Sequence, residues 1–410
     1  MLKKSVDLYL EAFRGLSKEV WWLALVTFIN RAGTMVLPFL SKYLKEDLHF
    51  TYGEVGWIMV FFGLGSFIGA WLGGKLTDKI GFYKVMIWSF LSAGVVFVLI
   101  QYVQSFWGLC FVIFLAMTLA DMFRPAMFVS LNTYSKPENR TRSLTLIRLA
   151  INLGFVIGPS VAGLIIIAQG YSLLFWIDGL TCIVSILLFT LLVKERKAPN
   201  KTKEELKLLK AGAAVFKDKA YWIFLAISFL IGVVFFQIFT TLPIYHHEQF
   251  GLTEFQTGLL FFLNGLIIIV FEMPMVNWIE KKKIPEIKLI YFSSILMMLG
   301  FVVLVYQAWV GILIISMVLI TLAEMVGFPY TNAFAMKRAK SGNEGRYMAL
   351  YSMAFALAHI VSPKLGLDFI ALYGYKANFI LISILGLVSV GLCIWLRKTL
   401  EKEEALELSN

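Results

Sequence analysis

Apolar residues along the chain gather into long runs separated by short polar breaks. The runs cover about 20–43, 54–75, 84–103, 107–133, 143–168, 171–193, 220–244, 256–279, 288–307, 309–335, 346–371 and 376–396. Each is about as long as a helix needs to cross the hydrocarbon core of a bilayer, roughly 20 residues. The pattern therefore predicts an all-α membrane protein with twelve transmembrane helices. Most breaks are short and carry turn formers or charges. The exception is 194–219, KERKAPNKTKEELKLLKAGAAVFKDK, between the sixth and seventh runs. The predicted organisation is a surface-lying amphipathic segment (1–19), a six-helix bundle (20–193), a linker (194–219), a second six-helix bundle (220–397) and a polar tail (398–410).

Composition supports this reading. Of 410 residues, 59% are hydrophobic and 15% charged, and the mean hydropathy is +0.79. A soluble domain carries about a quarter charged residues. The net charge of +11 raises the question of nucleic acid, and the distribution of the charges answers it. With the N-terminus inside, thirty of the 37 Lys and Arg fall in breaks on the cytoplasmic side. Only Lys42, Lys45 and Lys376 fall outside, and Arg31, Arg124, Arg148 and Lys364 lie within runs. This is the positive-inside bias. It predicts cytoplasmic termini and a lipid bilayer, not nucleic acid, as the macroscopic partner. Cys110, Cys182 and Cys393 sit far apart inside apolar runs without metal-type spacing. No P-loop, zinc-protease or nucleophile motif occurs. The expectation is a non-enzyme without a cofactor, energised by a proton gradient or by the gradient of its solute.

The two halves also resemble each other. NRTRSLTLIRLAINLGFVIGP (139–159) and NEGRYMALYSMAFALAHIVSP (343–363) coincide at Asn139/Asn343, Arg142/Arg346, Leu146/Leu350, Ala150/Ala354 and Pro159/Pro363. At an offset of 202, Gly56/Gly258, Gly63/Gly265 and Lys79/Lys281 coincide, and Asp78 faces Glu280. Leu37-Pro38 matches Leu242-Pro243. Duplicated six-helix halves that rock about a midplane site are a recurrent transporter plan.

The break after the second run reads Gly73-Gly74-Lys75-Leu76-Thr77-Asp78-Lys79-Ile80-Gly81-Phe82-Tyr83-Lys84. It resembles the G-x-L-a-D-r-x-G-r-k signature of the major facilitator superfamily at Gly74, Leu76, Asp78, Lys79 and Gly81. Phe82 and Tyr83 depart where basic residues are usual. The resemblance covers the chain and implies the major facilitator fold, two pseudo-symmetric six-helix bundles with alternating access. Gly74 is expected to permit close helix approach and Gly81 a tight turn. Asp78 is expected to latch the halves through Arg142 or a helix N-terminus, with Lys79 and Arg346 in the same gating set. In the fifth run, Gly154, Gly158, Pro159 and Gly163 resemble the G-x-x-x-G-P-x-x-G-G pattern of the drug:proton antiporter branch, with Ala162 in place of one glycine. That resemblance implies proton-coupled export.

Ionisable groups inside a bilayer are costly and normally face a cavity or a partner. Asp121 and Arg124 stand i, i+3 on one helix and can pair; Asp121–Arg148 is the alternative pair. Arg124 falls near the position of an arginine that the superfamily's antiporters use in proton coupling, although the Gly-rich continuation is replaced by Pro125-Ala126-Met127. Glu324 is the first choice for proton carrier, because a desolvated carboxylate can exchange a proton near neutral pH. Glu272 follows, then Asp121, and His359 as a group able to switch. Asn30, Arg31, Arg124, Arg148, Asn264 and Lys364 are the candidate solute contacts. Asp178 and Asp368, nearer the run ends, are weaker candidates. The resulting expectation is a monomeric exporter of small amphipathic compounds in a bacterial inner membrane. Its rivals are uptake or exchange of an anionic or peptide-like solute, and a receptor that does not transport.

Overall fold

The computed structural model describes residues 15–136, 139–196, 215–306, 309–338 and 344–409, and among these it contains helices and no strands. The N-terminal segment 1–14 and most of the linker, 197–214, lie outside the described residues. Thirteen helices are labelled in chain order: α1 Lys18–Gly33, α2 Tyr52–Ile80, α3 Phe82–Ile100, α4 Phe106–Asp121, α5 Phe123–Tyr134, α6 Arg140–Gln169, α7 Ser172–Leu192, α8 Lys219–Thr240, α9 Leu242–Phe250, α10 Glu254–Lys282, α11 Glu286–Val302, α12 Gly311–Arg338 and α13 Glu344–Ser409. Eleven described segments are long and apolar enough to cross a membrane, and the last, Tyr347–Ala405, is 59 residues long. It holds two crossings, because Gly374 interrupts α13 with φ 77, ψ 175.

Two compact units form. The first comprises Met1–Tyr43, Phe61–Asn200 and Thr253–Gly265; the second comprises Leu44–Val60, Lys201–Leu252 and Leu266–Asn410. Each unit thus takes in a segment from the opposite half of the sequence. The first is cemented near the start of α1 by Val20, Leu23, Phe82, Met86, Phe123, Ile186 and Phe189, with Phe90 stacked on Phe123 at 3.7 Å.

Turns repeat with the sequence. Positive φ occurs at His49 and Gly251, at Gly81 and Lys283, and at Gly170 and Gly374. The first two pairs are 202 residues apart and the third 204. Left-handed backbone disfavours a Cβ, so His49 and Lys283 keep a turn their own chemistry would not choose. Helix starts repeat too. Ser17 accepts the Val20 N–H at 3.3 Å, and Asp218 accepts the Tyr221 N–H at 3.0 Å.

Two predicted helices are interrupted. The run 107–133 breaks after Asp121, where Pro125 lacks an N–H and its ring crowds the carbonyl four residues back. The run 20–43 breaks at Thr34–Val36 before Pro38, then continues through short helical turns to Asp47. The expected close approach at Gly74 is corrected. A Cβ there would meet nothing within 4 Å, whereas at Gly73 it would collide with the Met122 backbone. Gly73 is therefore the packing glycine.

Candidate functional site

In the first unit the break at Asp121 gathers the intramembrane charges. The Asp121 carboxylate is buried. It accepts from Ser66 on α2 and from Arg124 Nη2 at 3.0 Å, so of the two expected pairings Asp121–Arg124 forms. Arg124 keeps 56% of its side chain exposed. Arg31 on α1 lies within electrostatic range of both Asp121 and Arg124, and its guanidinium carbon stands 5.7 Å from the Phe155 ring centroid. The glycines of α6 explain how it comes so close. A Cβ on Gly154 would strike Arg31 and Ala32, and Gly158 sits beside the Ala32 carbonyl. Small residues at i and i+4 thus seat α1 against α6. The result is one carboxylate paired with one guanidinium and within electrostatic range of a second, a locally cationic site. Asn30 faces Cys182 instead, donating to its Sγ at 3.3 Å. Arg148 is exposed on α6 and Asn264 half-buried on α10.

Asp178, near the end of its run in the sequence, sits deep in the first unit. It is buried, and its Oδ1 and Oδ2 accept the Met35 and Val36 N–H groups at 2.8 and 3.2 Å.

The second unit holds Glu272, Glu324, His359 and Lys364. Glu272 and Glu324 are half-buried on α10 and α12. His359 lies against Phe236, ring centroids 4.3 Å apart. Lys364 is engaged by its own helix, with Nζ 2.6 Å from Asp368 Oδ2, and by α2, with Nζ 5.0 Å from the Trp57 ring. Its charge is therefore already balanced at the position where a solute contact was expected. Asp78 and Lys79 are exposed at the end of α2, where Gly81 makes the turn with φ 89. The side chains of Arg142 and Arg346 lie outside the described residues. Pro159 is carried inside an unbroken α6.

Two polar nodes at helix ends escaped the sequence reading. Lys42, counted there as a loop lysine, is buried and bonds Glu254 Oε1 at 2.8 Å; the Tyr171 hydroxyl reaches the same oxygen at 3.3 Å. In the second unit Glu248 Oε2 accepts from Tyr52 and Tyr375, the latter at 2.9 Å. Extending the repeat offset to Tyr171 and Tyr375, 204 apart, would have exposed both. Among the described residues no group of three or more His, Cys, Asp or Glu could hold a metal ion.

Charges placed inside duplicated spans define a multi-pass membrane transporter, not an enzyme. The Major Facilitator Superfamily model matches residues 23–363, and the chain belongs to that superfamily. It is similar to a Na(+), Li(+), K(+)/H(+) antiporter of Planococcus maritimus, 23% identical over 399 residues, covering 90% of this chain and 93% of that one. A candidate sugar efflux transporter of Deinococcus radiodurans is 21% identical over 385 residues, covering 90% and 95%. A crystal structure of the nucleoside transporter NupG shares the fold, with a TM-score of 0.76 at 15% identity over 92% of this chain and 100% of that one.

Proposed function

We propose that the protein is a proton-coupled antiporter that exports small amphipathic solutes by alternating access. It works as a monomer in a bacterial inner membrane, with both termini cytoplasmic and the proton gradient as its energy source. The observation that carries this reading is the Asp121 cluster. A buried carboxylate binds a half-exposed arginine, so a proton on Asp121 frees Arg124 and changes the charge that a solute meets. Glu324, half-buried in the middle of α12, is the companion acid that carries the proton, with Glu272 and His359 beside it in rank. The small-residue motif that seats Arg31, and the antiporter and efflux relatives, support the export direction. A second reading is favoured by one specific feature. Arg31 and Arg124 outnumber Asp121, which suits an anionic solute.

The test is proton flux in liposomes holding the protein and an internal pH-sensitive dye. Pulses of lipophilic cations are expected to move protons through the wild type, and Glu324→Gln to abolish the coupling. Normal coupling in Glu324→Gln would remove that residue from the role. Flux with organic anions but not with lipophilic cations selects the second reading. Saturable binding without flux marks a receptor.

A further inference from the structure

Spans one and seven are the same element of the repeat, yet they are interrupted differently. Both carry Leu-Pro at the interruption, Leu37-Pro38 and Leu242-Pro243. A proline lacks an N–H and crowds the carbonyl four residues back, so each helix must yield just before it. Span seven yields by one residue. Thr241 stays in helical conformation at φ −92, ψ −36, its N–H reaches the Gln237 carbonyl at 3.1 Å, and the Tyr245 N–H reaches Thr241 at 3.0 Å. Span one yields by three. Thr34 leaves helical geometry with ψ 75, the Met35 N–H turns back to the Gly33 carbonyl at 2.9 Å, and helical turns resume at Leu37.

Proline is common to both spans and cannot account for the difference. What span one has in addition is Asp178. Its two oxygens take the Met35 and Val36 N–H groups, the residue is 4% exposed, and among the described residues no ion pair forms to it. The equivalent residue beside span seven, 204 further on, is Ile382. In span seven, where no carboxylate stands at that place and Gln237 accepts from Thr241 instead, the helix stays nearly continuous.

An ionised carboxylate accepts strongly at both oxygens. Once protonated, one oxygen becomes an O–H donor and a poorer acceptor, so its N–H contact weakens. The break begins where the Thr34 N–H reaches the Arg31 carbonyl at 3.2 Å, so the residue that carries the cluster's guanidinium lies in the last helical turn before it. We infer that Asp178 is a positioning residue for Arg31: ionised, it holds the Thr34–Val36 break, and proton uptake weakens that hold, loosens the segment that follows Arg31 and lets Arg31 move. This rests on the proton-coupled reading above only for why a proton should reach the site.

The ionisable groups on the elements around Asp178 include the following. Cys182, one turn along α7, lies in electrostatic range of both Asp178 and Arg31. From the first span come Arg31 and, beyond the break, Lys42 held by Glu254. Tyr171 stands at the start of α7, and α6 contributes Arg148. The α3 helix meets α7 through Gly94 and Gly179, with its ionisable residues, Tyr83 and Lys84, near its own start.

Hydrogen–deuterium exchange on the full-length protein in lipid nanodiscs tests this with neither solute nor gradient. In the wild type, the protection of peptides spanning residues 31–40, corrected for intrinsic exchange, is expected to fall about tenfold as pH is lowered from about 9 to 4. That is the scale of losing one hydrogen bond to a charged acceptor. Asp178→Asn should show the low value throughout, and Asp178→Glu should restore the titration. A wild-type profile flat with pH, or Asp178→Asn as protected as the wild type at high pH, overturns the inference. Glu324→Gln should keep the titration, so a failed carrier assignment at Glu324 and a failed assignment at Asp178 read out separately.

Discussion

The node at Lys42, Tyr171 and Glu254 and the node at Glu248, Tyr375 and Tyr52 occupy the same place in the two repeats. Each joins the end of an odd-numbered span, the start of the sixth or twelfth, and the start of the eighth or second. The aromatic frame recurs with similar spacings. Tyr43 stands 5.1 Å from Tyr171 and 5.2 Å, edge-on, from Phe175; Tyr245 stands 5.0 Å from Tyr375 and 4.7 Å, edge-on, from Phe379. The polar atoms have been redistributed. In one node the acid sits on the start of span eight and neutralises a buried lysine. In the other it sits on the end of span seven and is held by two phenols. Packing that must bring three helix ends together tolerates little change. A hydrogen-bonded acid can be supplied from either side of the same corner.

The two chemistries should differ most in what the acid's neutralisation costs. Glu254→Gln removes the charge that balances Lys42, whose residue is 1% exposed. Breaking one partner of a buried pair costs about 3–5 kcal/mol. A comparable fall in apparent unfolding free energy is expected in detergent, and Lys42→Met with Glu254→Leu together should recover most of it. A loss below about 1 kcal/mol would show a solvated lysine and break the contrast.

The span count, the duplication and the turn at Gly81 were legible because they depend on composition and local backbone. Spacing also placed Asp121 and Arg124 on one helix. The partners that sequence could not supply are tertiary. Ser66 reaches Asp121 from another helix, Arg31 acts on it across space, and Lys42 counts as a loop charge until Glu254 covers it. Asp178 was underrated because its ligands are main-chain N–H groups, which exist only once the helix breaks, and no side-chain pattern records them. Gly74 was preferred to Gly73 because a motif marks recurrence, whereas the Met122 backbone decides which glycine is needed.

The helix starts sharpen the same comparison with a smaller effect. Ser17 caps α1 and donates to the Tyr134 carbonyl at 2.8 Å. Its counterpart Asp218 caps α8, binds Arg338 through both oxygens at 2.8 and 2.9 Å, and accepts from Tyr347 at 3.0 Å. Burial opposes the Asp218 charge, but Arg338, the Tyr221 N–H and Tyr347 outweigh it and hold the carboxyl below its usual range. A depressed folded value means the stabilisation is complete above the unfolded value, about 4, and is lost as pH falls through the folded one. Unfolding of the wild type should therefore lose this contribution only below about pH 4. Asp218→Asn should cost about 2 kcal/mol at neutral pH, less than Glu254→Gln because Arg338 retains Glu403 at 2.7 Å, and should flatten the acid limb. An unchanged acid limb in Asp218→Asn would mean that the second repeat gains nothing from a charged cap.

The smallest effect belongs to Glu248→Gln. No buried cation is balanced at this node, and the glutamine carbonyl still accepts from a phenol. What is lost is the extra strength of hydrogen bonds to an ionised acceptor, with the second phenol able to bond its neighbour, since Tyr52 and Tyr375 oxygens are 3.2 Å apart. The expected cost is about 0.5–1 kcal/mol, several-fold below Glu254→Gln measured in the same detergent. Equal costs would mean that both acids act by shape alone, and that the exchange of lysine for tyrosine between the repeats carries no electrostatic consequence.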